Sequence, residues 1–261
     1  MKASHFICVS LGIAFSALCP AVVMADTSTS NIPNSQVTLT ASQEATAEAQ
    51  QQKIVNLINS SGSNTSNVTT GMLSPDSMPD YGPATPSYTV STGTMTEPDA
   101  GTTCGPIAAY NLLYNIPHSS RPSVSTLKSQ LGWTNSAGTG YGSNWTSTLN
   151  SDQSYHTYSL SPVDPSVTDV YDDTIYAVGY EQHVPDILDI YGYIPGYQSS
   201  GPNYLYHYVT GDSYNVSTDT MGWYDESDLN ANGHNVSYTV SELNSLNSGS
   251  STSLHFQGVV Y

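Results

Sequence analysis

Residues 101–117 read "GTTCGPIAAYNLLYNIP". Ile107, Ala108, Leu112 and Leu113 recur at helical spacing, and Pro106 suits a first turn, where its missing N–H leaves no bond unmade. "CGPIAAYNLLYN" therefore predicts a helix that opens at Cys104. Downstream, "SVSTLKSQLGW" predicts a second, shorter helix, and "SVTDVYDDTIYAVGY" holds a third element whose type the pattern leaves open. "DILDIYGYI" reads as a strand. "NYLYHYVTG" and "TMGWYD" are rich in strand-forming residues, and the turn-rich "DSYNVSTD" between them makes the pair a hairpin. "TVSELNSLN" opens on a capping box, Thr239 with Glu242 three residues later, and predicts a short helix before a last strand, "SLHFQGVVY". Helices first and antiparallel strands later imply an α+β fold.

The predicted domain runs from 88 to 261, roughly 170 residues, a size that suits one core. Residues 26–87 differ. "TSTSNIPNSQ" and "NSSGSNTSNVTT" are polar and low in complexity, which predicts flexibility. Between them "ASQEATAEAQQQKIVNLIN" is a run of helix formers with Ile54, Val55, Leu57 and Ile58 near its end. One such helix cannot build its own core, so it reads as packed on the main domain, as a propeptide or as a spacer.

Ahead of it, Lys2 and the apolar run "FICVSLGIAFSALCPAVVMA" have the form of a secretory signal peptide over 1–25, cut after Ala25. A transmembrane anchor competes with that reading, against the breaks at Gly12 and Pro20; lipid attachment at Cys19 has Ser16 where such signals want Leu. Of the three cysteines, Cys8 and Cys19 would leave with the signal. An exported chain left with Cys104 alone has no internal disulfide, so this thiol is an intermolecular bridge, a buried small hydrophobe or a nucleophile.

Four Lys and Arg stand against 21 Asp and Glu, a net charge of −17. Nucleic acids and anionic membrane surfaces need basic clusters, so neither is an expected partner. Only 10% of residues are charged, and the surface would lose most of its negative charge as carboxyls protonate near a pH of about 4. That composition suits a secreted protein, either an ordinary acidic one or one working in acid surroundings.

The start of a helix lowers a thiol's pKa through its free N–H groups and dipole, and the N–H of Cys104 itself faces a developing oxyanion. Gly101 and Gly105 would allow a substrate backbone to approach. A nucleophile needs a base and a group to orient it. His207, in "YLYHYVTGDSYN", lies in a predicted strand; Asp225, in "MGWYDES", ends the next. Neighbouring antiparallel strands bring such residues within reach in the right register. Taken singly, each has a structural reading: a core cysteine, a core histidine, a turn aspartate. His118, His156, His183, His234 and His255 have no partner at metal-ligand spacing, so neither metal nor cofactor is expected. The many tyrosines fit a peptide or sugar groove as well as strand packing.

Cys-Gly-Pro on a helix, His-Tyr-Val before a glycine and Tyr-Asp after a hairpin resemble the papain-like cysteine peptidases. The closest likeness is to the branch related to bacteriocin-processing (double-glycine leader) peptidases. "TGYGSNWTSTLN", "IPGYQSSGPNYLYHYVTG" and "GHNVSYTVSELNSL" fall where that branch has similar stretches, so the resemblance spans Tyr88 to Tyr261. It implies a papain-like fold and a peptide or protein substrate cut without a metal. Cys104 would attack, His207 would carry the proton, and Asp225 would orient His207, with Asp212, Asp219 and Asp228 as rivals for that last role. The chain departs from the family in one respect. "MTEPDAGTTC" lacks the glutamine that donates to the oxyanion, leaving Thr102, Thr103, Glu97 or Asp99 as substitutes, the acids only while protonated. Two further readings stand beside a secreted peptidase: an inactive papain-like domain for binding or adhesion, and a cell-wall peptide amidase or transferase using the same thioester chemistry.

Overall fold

A 12-residue strand, β3 (Tyr204–Asn215), organises the structure, a computed structural model that describes residues 39–62, 86–97, 102–180, 183–193, 204–227, 230, 233–248 and 254–261. The expected signal peptide, Gly101, Asp99 and Asp228 lie outside the described residues. On one side β3 pairs along its first two-thirds with β2 (Asp186–Tyr193), which pairs in turn with β6 (Leu254–Val260). Its far end takes β1 (Ser87–Thr89) on that same side, through Ser87↔Asn215 and Thr89↔Ser213. On the other side β4 (Thr220–Tyr224) pairs with β3 from Thr210 onward, and β5 (Asn235–Thr239) pairs with β4. The result is a six-stranded sheet in the order β5-β4-β3-β2-β6, with β1 added on β3 and all these pairings antiparallel.

The helices precede most of the sheet in sequence: α2 (Cys104–Tyr114) packs on it, α3 (Val124–Gln130) and α4 (Ser143–Asp152) pack on α2, and α5 (Val167–Ile175), which packs on the sheet, runs into a π-helical turn over Tyr176–Tyr180. α2 buries Ile107, Ala108, Leu112 and Leu113, the positions that predicted it. α5 settles the element left open by sequence; it starts on a capping box between Ser166 and Asp169. The Thr239–Glu242 capping box opens α6 (Val240–Asn247). The architecture is thus α+β, with Trp145, Leu112, Leu149, Ile187 and Leu188 fully buried between the layers.

In two places the elements differ from the sequence expectation. β3 continues through "DSYN", because 213–215 find partners in both β1 and β4, so the turn narrows to 216–219 with Asp219 at φ 47°. α4 begins inside "TGYGSNWTSTLN", and β5 lies inside "GHNVSYTVSELNSL" just ahead of the expected helix; the sequence pattern gives neither element.

Helix α1 (Ala41–Gly62) lies against α5. Ala47, Gln51 and Ile54, one turn apart on one face, are buried, and Glu44 Oε1 accepts from the Val163 N–H at 2.9 Å. No helix among the described residues is long and apolar enough to cross a membrane.

Candidate active site

β4 reaches β3 only from Thr210 onward, so the stretch of β3 holding His207 and Tyr208 has no β4 residue beside it. The N-terminus of α2 comes to this stretch, bringing Cys104 Sγ within 4.8 Å of a ring nitrogen of His207. The register Thr210↔Tyr224 also puts His207 and Asp225 on one face of the hairpin.

His207 Nε2 donates to Asp225 Oδ1 at 3.0 Å, and a ring nitrogen of the imidazole lies within 4.8 Å of Cys104 Sγ. Cys104, His207 and Asp225 are buried, at 8%, 5% and 0% exposure. Asp225 is held from all around. Oδ1 also accepts from the Ser227 N–H at 2.9 Å, Oδ2 accepts from Asn230 Nδ2 at 3.0 Å, and its backbone N–H donates to His234 O at 2.7 Å. A carboxylate so fixed orients the ring it contacts. Of the rivals, Asp212 bonds Ser213 and Asp219 lies in the β3–β4 turn.

Burial alone would lower the pKa of His207, yet the Asp225 carboxylate and the thiol outweigh it and push it well above the ordinary histidine range. The thiol behaves differently from the sequence expectation of a lowered pKa. Burial raises it first, the Glu97 charge raises it further, and His207 and the Tyr208 backbone oppose both. The helix start does not prevail because Cys104 is desolvated and has a carboxyl for a neighbour.

That neighbour is the main feature sequence reasoning left undetermined. Glu97 is buried, and one carboxyl oxygen, Cys104 Sγ and a ring nitrogen of His207 all lie within 4.8 Å of one another. Its backbone N–H donates to Glu226 O at 2.6 Å, tying it to the chain that follows β4. Oε1 accepts both from the Thr103 N–H at 2.5 Å and from Thr103 Oγ1 at 2.7 Å. Thr103, in the N-cap position of α2, therefore makes no capping bond, and both its donors are committed to Glu97. The Thr102 carbonyl accepts from Trp133 Nε1 at 2.6 Å. Gly105 has a packing role: a Cβ there would lie 2.7 Å from Thr139 Oγ1.

Glu226, fully buried behind the hairpin, accepts from Thr210 Oγ1 at 2.5 Å and from Asn111 Nδ2 at 3.5 Å. Burial pushes its carboxyl up to about 8, so at neutral pH it is mostly protonated. The groupings Glu97–Cys104–His207 and His207–Asp225–Glu226 are tight enough to receive a metal ion. The commitment of His207 Nε2 to Asp225, with the thiol close to the same ring, fits a proton path better. In comparisons with protein-family models, with curated proteins and with solved structures, the chain matches none. Fold and site define an α+β protein in which a buried thiol at the start of a helix lies beside an imidazole that is hydrogen-bonded to a buried carboxylate.

Proposed function

We propose that the protein is a cysteine peptidase of papain-like type, exported and suited to acid surroundings, hydrolysing peptide bonds through Cys104, His207 and Asp225. The single observation that carries this reading is the convergence of Cys104 and Asp225 on the His207 ring, with Cys104 Sγ within 4.8 Å of a ring nitrogen and Asp225 Oδ1 3.0 Å from Nε2. In it the proton of the Cys104–His207 pair sits on His207 as an imidazolium, and the thiolate sulfur attacks the carbonyl carbon. The carbonyl π pair moves to oxygen, and the N–H of Cys104 at the uncapped helix start donates to that oxyanion. When the tetrahedral species collapses, the C–N bond breaks and His207 gives its proton to the leaving amine. Water, deprotonated by His207, then cleaves the thioester and restores the thiol. Asp225 keeps the ring oriented and stabilises the imidazolium. A cell-wall peptide amidase would use the same steps, and a transferase would replace water with an amine.

A binding domain of the same fold is the second reading, and one observation favours it: burial and Glu97 both raise the thiol's pKa. Hydrolysis of a fluorogenic peptide library between pH 4 and 7, with iodoacetamide labelling located at Cys104 by mass spectrometry, separates the two. The peptidase reading expects hydrolysis that Cys104→Ala abolishes, and labelling that His207→Ala slows by tenfold or more. Labelling indifferent to His207, with no hydrolysis, would leave the binding domain.

A further inference from the structure

Three side chains from separate segments bring a sulfur, a nitrogen and an oxygen together. Glu97 precedes α2, Cys104 opens it and His207 lies on β3; a carboxyl oxygen, Sγ and a ring nitrogen all lie within 4.8 Å of one another. Thiolate, imidazole and carboxylate are the donors zinc takes, as four tetrahedral ligands or as three with one position open. The bond lengths of such a site hold donor atoms about 3.3–3.6 Å apart, so small side-chain movements would close this one. Magnesium and calcium, which prefer oxygen, do not suit a thiolate. Two of the ligands are also oriented from behind. Asp225 Oδ1 accepts from His207 Nε2 at 3.0 Å, the carboxylate–histidine pairing that fixes a ligating ring. Thr103 donates to Glu97 Oε1 through both its N–H and its hydroxyl, as to an ionised carboxylate. The Glu97 charge opposes ionisation of the thiol, and a dication between the two turns that repulsion into attraction. The grouping His207–Asp225–Glu226 suits a metal less: both Asp225 oxygens accept protein donors, and Glu226 accepts from Thr210.

We propose that Glu97, Cys104 and His207 form a zinc site in which the metal withholds both nucleophile and base, a reversible off-switch for the reaction. The site rests on the geometry alone; only the inhibition rests on the peptidase reading above. Zinc takes the thiolate sulfur, a carboxylate oxygen and a ring nitrogen. The proton on that nitrogen leaves to solvent, the Nε2–H stays with Asp225, and water fills the fourth position. Withdrawing the metal lets the ring regain its proton and frees the sulfur to attack.

The test is a cobalt(II) titration of the full chain followed by absorption, because a thiolate bound to cobalt adds a charge-transfer band in the near ultraviolet and zinc, with a filled d shell, replaces it silently. Wild type should show the band, zinc should erase it, and Cys104→Ala should lack it. Glu97→Gln should raise the half-saturating cobalt concentration by about 10²-fold, at least the cost of a lost outer partner of a ligand. Glu226→Gln should leave it unchanged. Melting temperatures confirm that each variant is folded; should Glu97→Gln not fold, Glu97→Asp, which draws the carboxylate back by one methylene, takes its place. A wild type without the band, or a Glu97 variant that binds cobalt as wild type does, overturns the site. So does a Glu226→Gln that weakens binding as much as the Glu97 variant. In parallel, zinc should stop hydrolysis of the fluorogenic peptides and EDTA should restore it. Cobalt binding in a protein that hydrolyses nothing, or hydrolysis that continues with the site saturated by zinc, removes the peptidase reading and leaves the metal site standing.

Discussion

Asp225 shows how much one side chain can be asked to do. Its carboxylate raises the pKa of His207 against the effect of burial, while Ser227, Asn230 and the backbone of His234 hold it still. Position and charge can be separated by experiment. Asp225→Asn retains a side-chain oxygen for the Nε2–H but loses the charge, so the pKa of His207 should drop and the imidazolium form should weaken. We expect iodoacetamide labelling of Cys104 in the acid range to slow by about tenfold or more, the scale of a one-unit shift. Asn230→Ala instead removes one donor from Asp225 Oδ2 and leaves the His207 contact in place. It should cost about 1–3 kcal/mol of stability in urea unfolding and change labelling far less. If Asn230→Ala slowed labelling as much as Asp225→Asn, fixing the carboxylate would matter more than its charge.

The elements explain why some of the site was legible in the sequence and some was not. α2 was legible because its apolar spacing and Pro106 are local signals, and they put Cys104 at a helix start with no tertiary information. His207 and Asp225 were legible as a pair because hairpin register links residues 18 apart. Glu97 stood as one of four substitutes because nothing local selects it. Its place comes from a bridge to Ser227, 130 residues away, and from Thr103 turning from its cap toward it. Gly105 was read as room for substrate, whereas its absent side chain makes room for Thr139, a contact no spacing rule reveals. That contact is testable. Gly105→Ala would bring a Cβ to 2.7 Å from Thr139 Oγ1 and 2.8 Å from its Cβ, so Thr139 or the start of α2 must shift. Gly258→Ala would bring a Cβ to 2.1 Å from Tyr141 Cζ, under β6. Both should lower stability by about 1–3 kcal/mol as overpacked sites do. Only Gly105→Ala should also slow Cys104 labelling, because it alone displaces the helix start; equal effects from both would mean that labelling reports global loosening.

At the scale of the whole molecule, carboxyl groups are enclosed in the interior while few cations balance them. Lys128 lies over the Trp133 ring and Arg121 over Tyr114, so these two cations are engaged with aromatic faces. Meanwhile Asp173, Asp186, Asp189 and Glu226 are enclosed in the core. Burial pushes Asp186 up to about 7, Asp189 to about 8 and Glu226 to about 8; Asp173 is also raised well above the carboxyl range. A carboxyl with a raised folded-state pKa binds its proton more tightly folded than unfolded. Its contribution to stability is complete below the unfolded value near 4 and is lost as pH rises through about 7 to 8. The protein should therefore be more stable at pH 4.5 than at pH 8.5, the reverse of a fold held by salt-bridged carboxylates. A one-unit shift is worth about 1.4 kcal/mol, and these carboxyls are raised by more than that, so at about 2–4 °C per kcal/mol for a domain of this size melting should come roughly 10 °C or more earlier at the higher pH. Asp189→Asn, an uncharged stand-in for the protonated acid, should raise the melting temperature at pH 8.5 and change it little at pH 4.5. A protein that melted later at pH 8.5 would mean that these carboxyls reach solvent or a cation once ionised, and the case for an acid-adapted interior would fall with them.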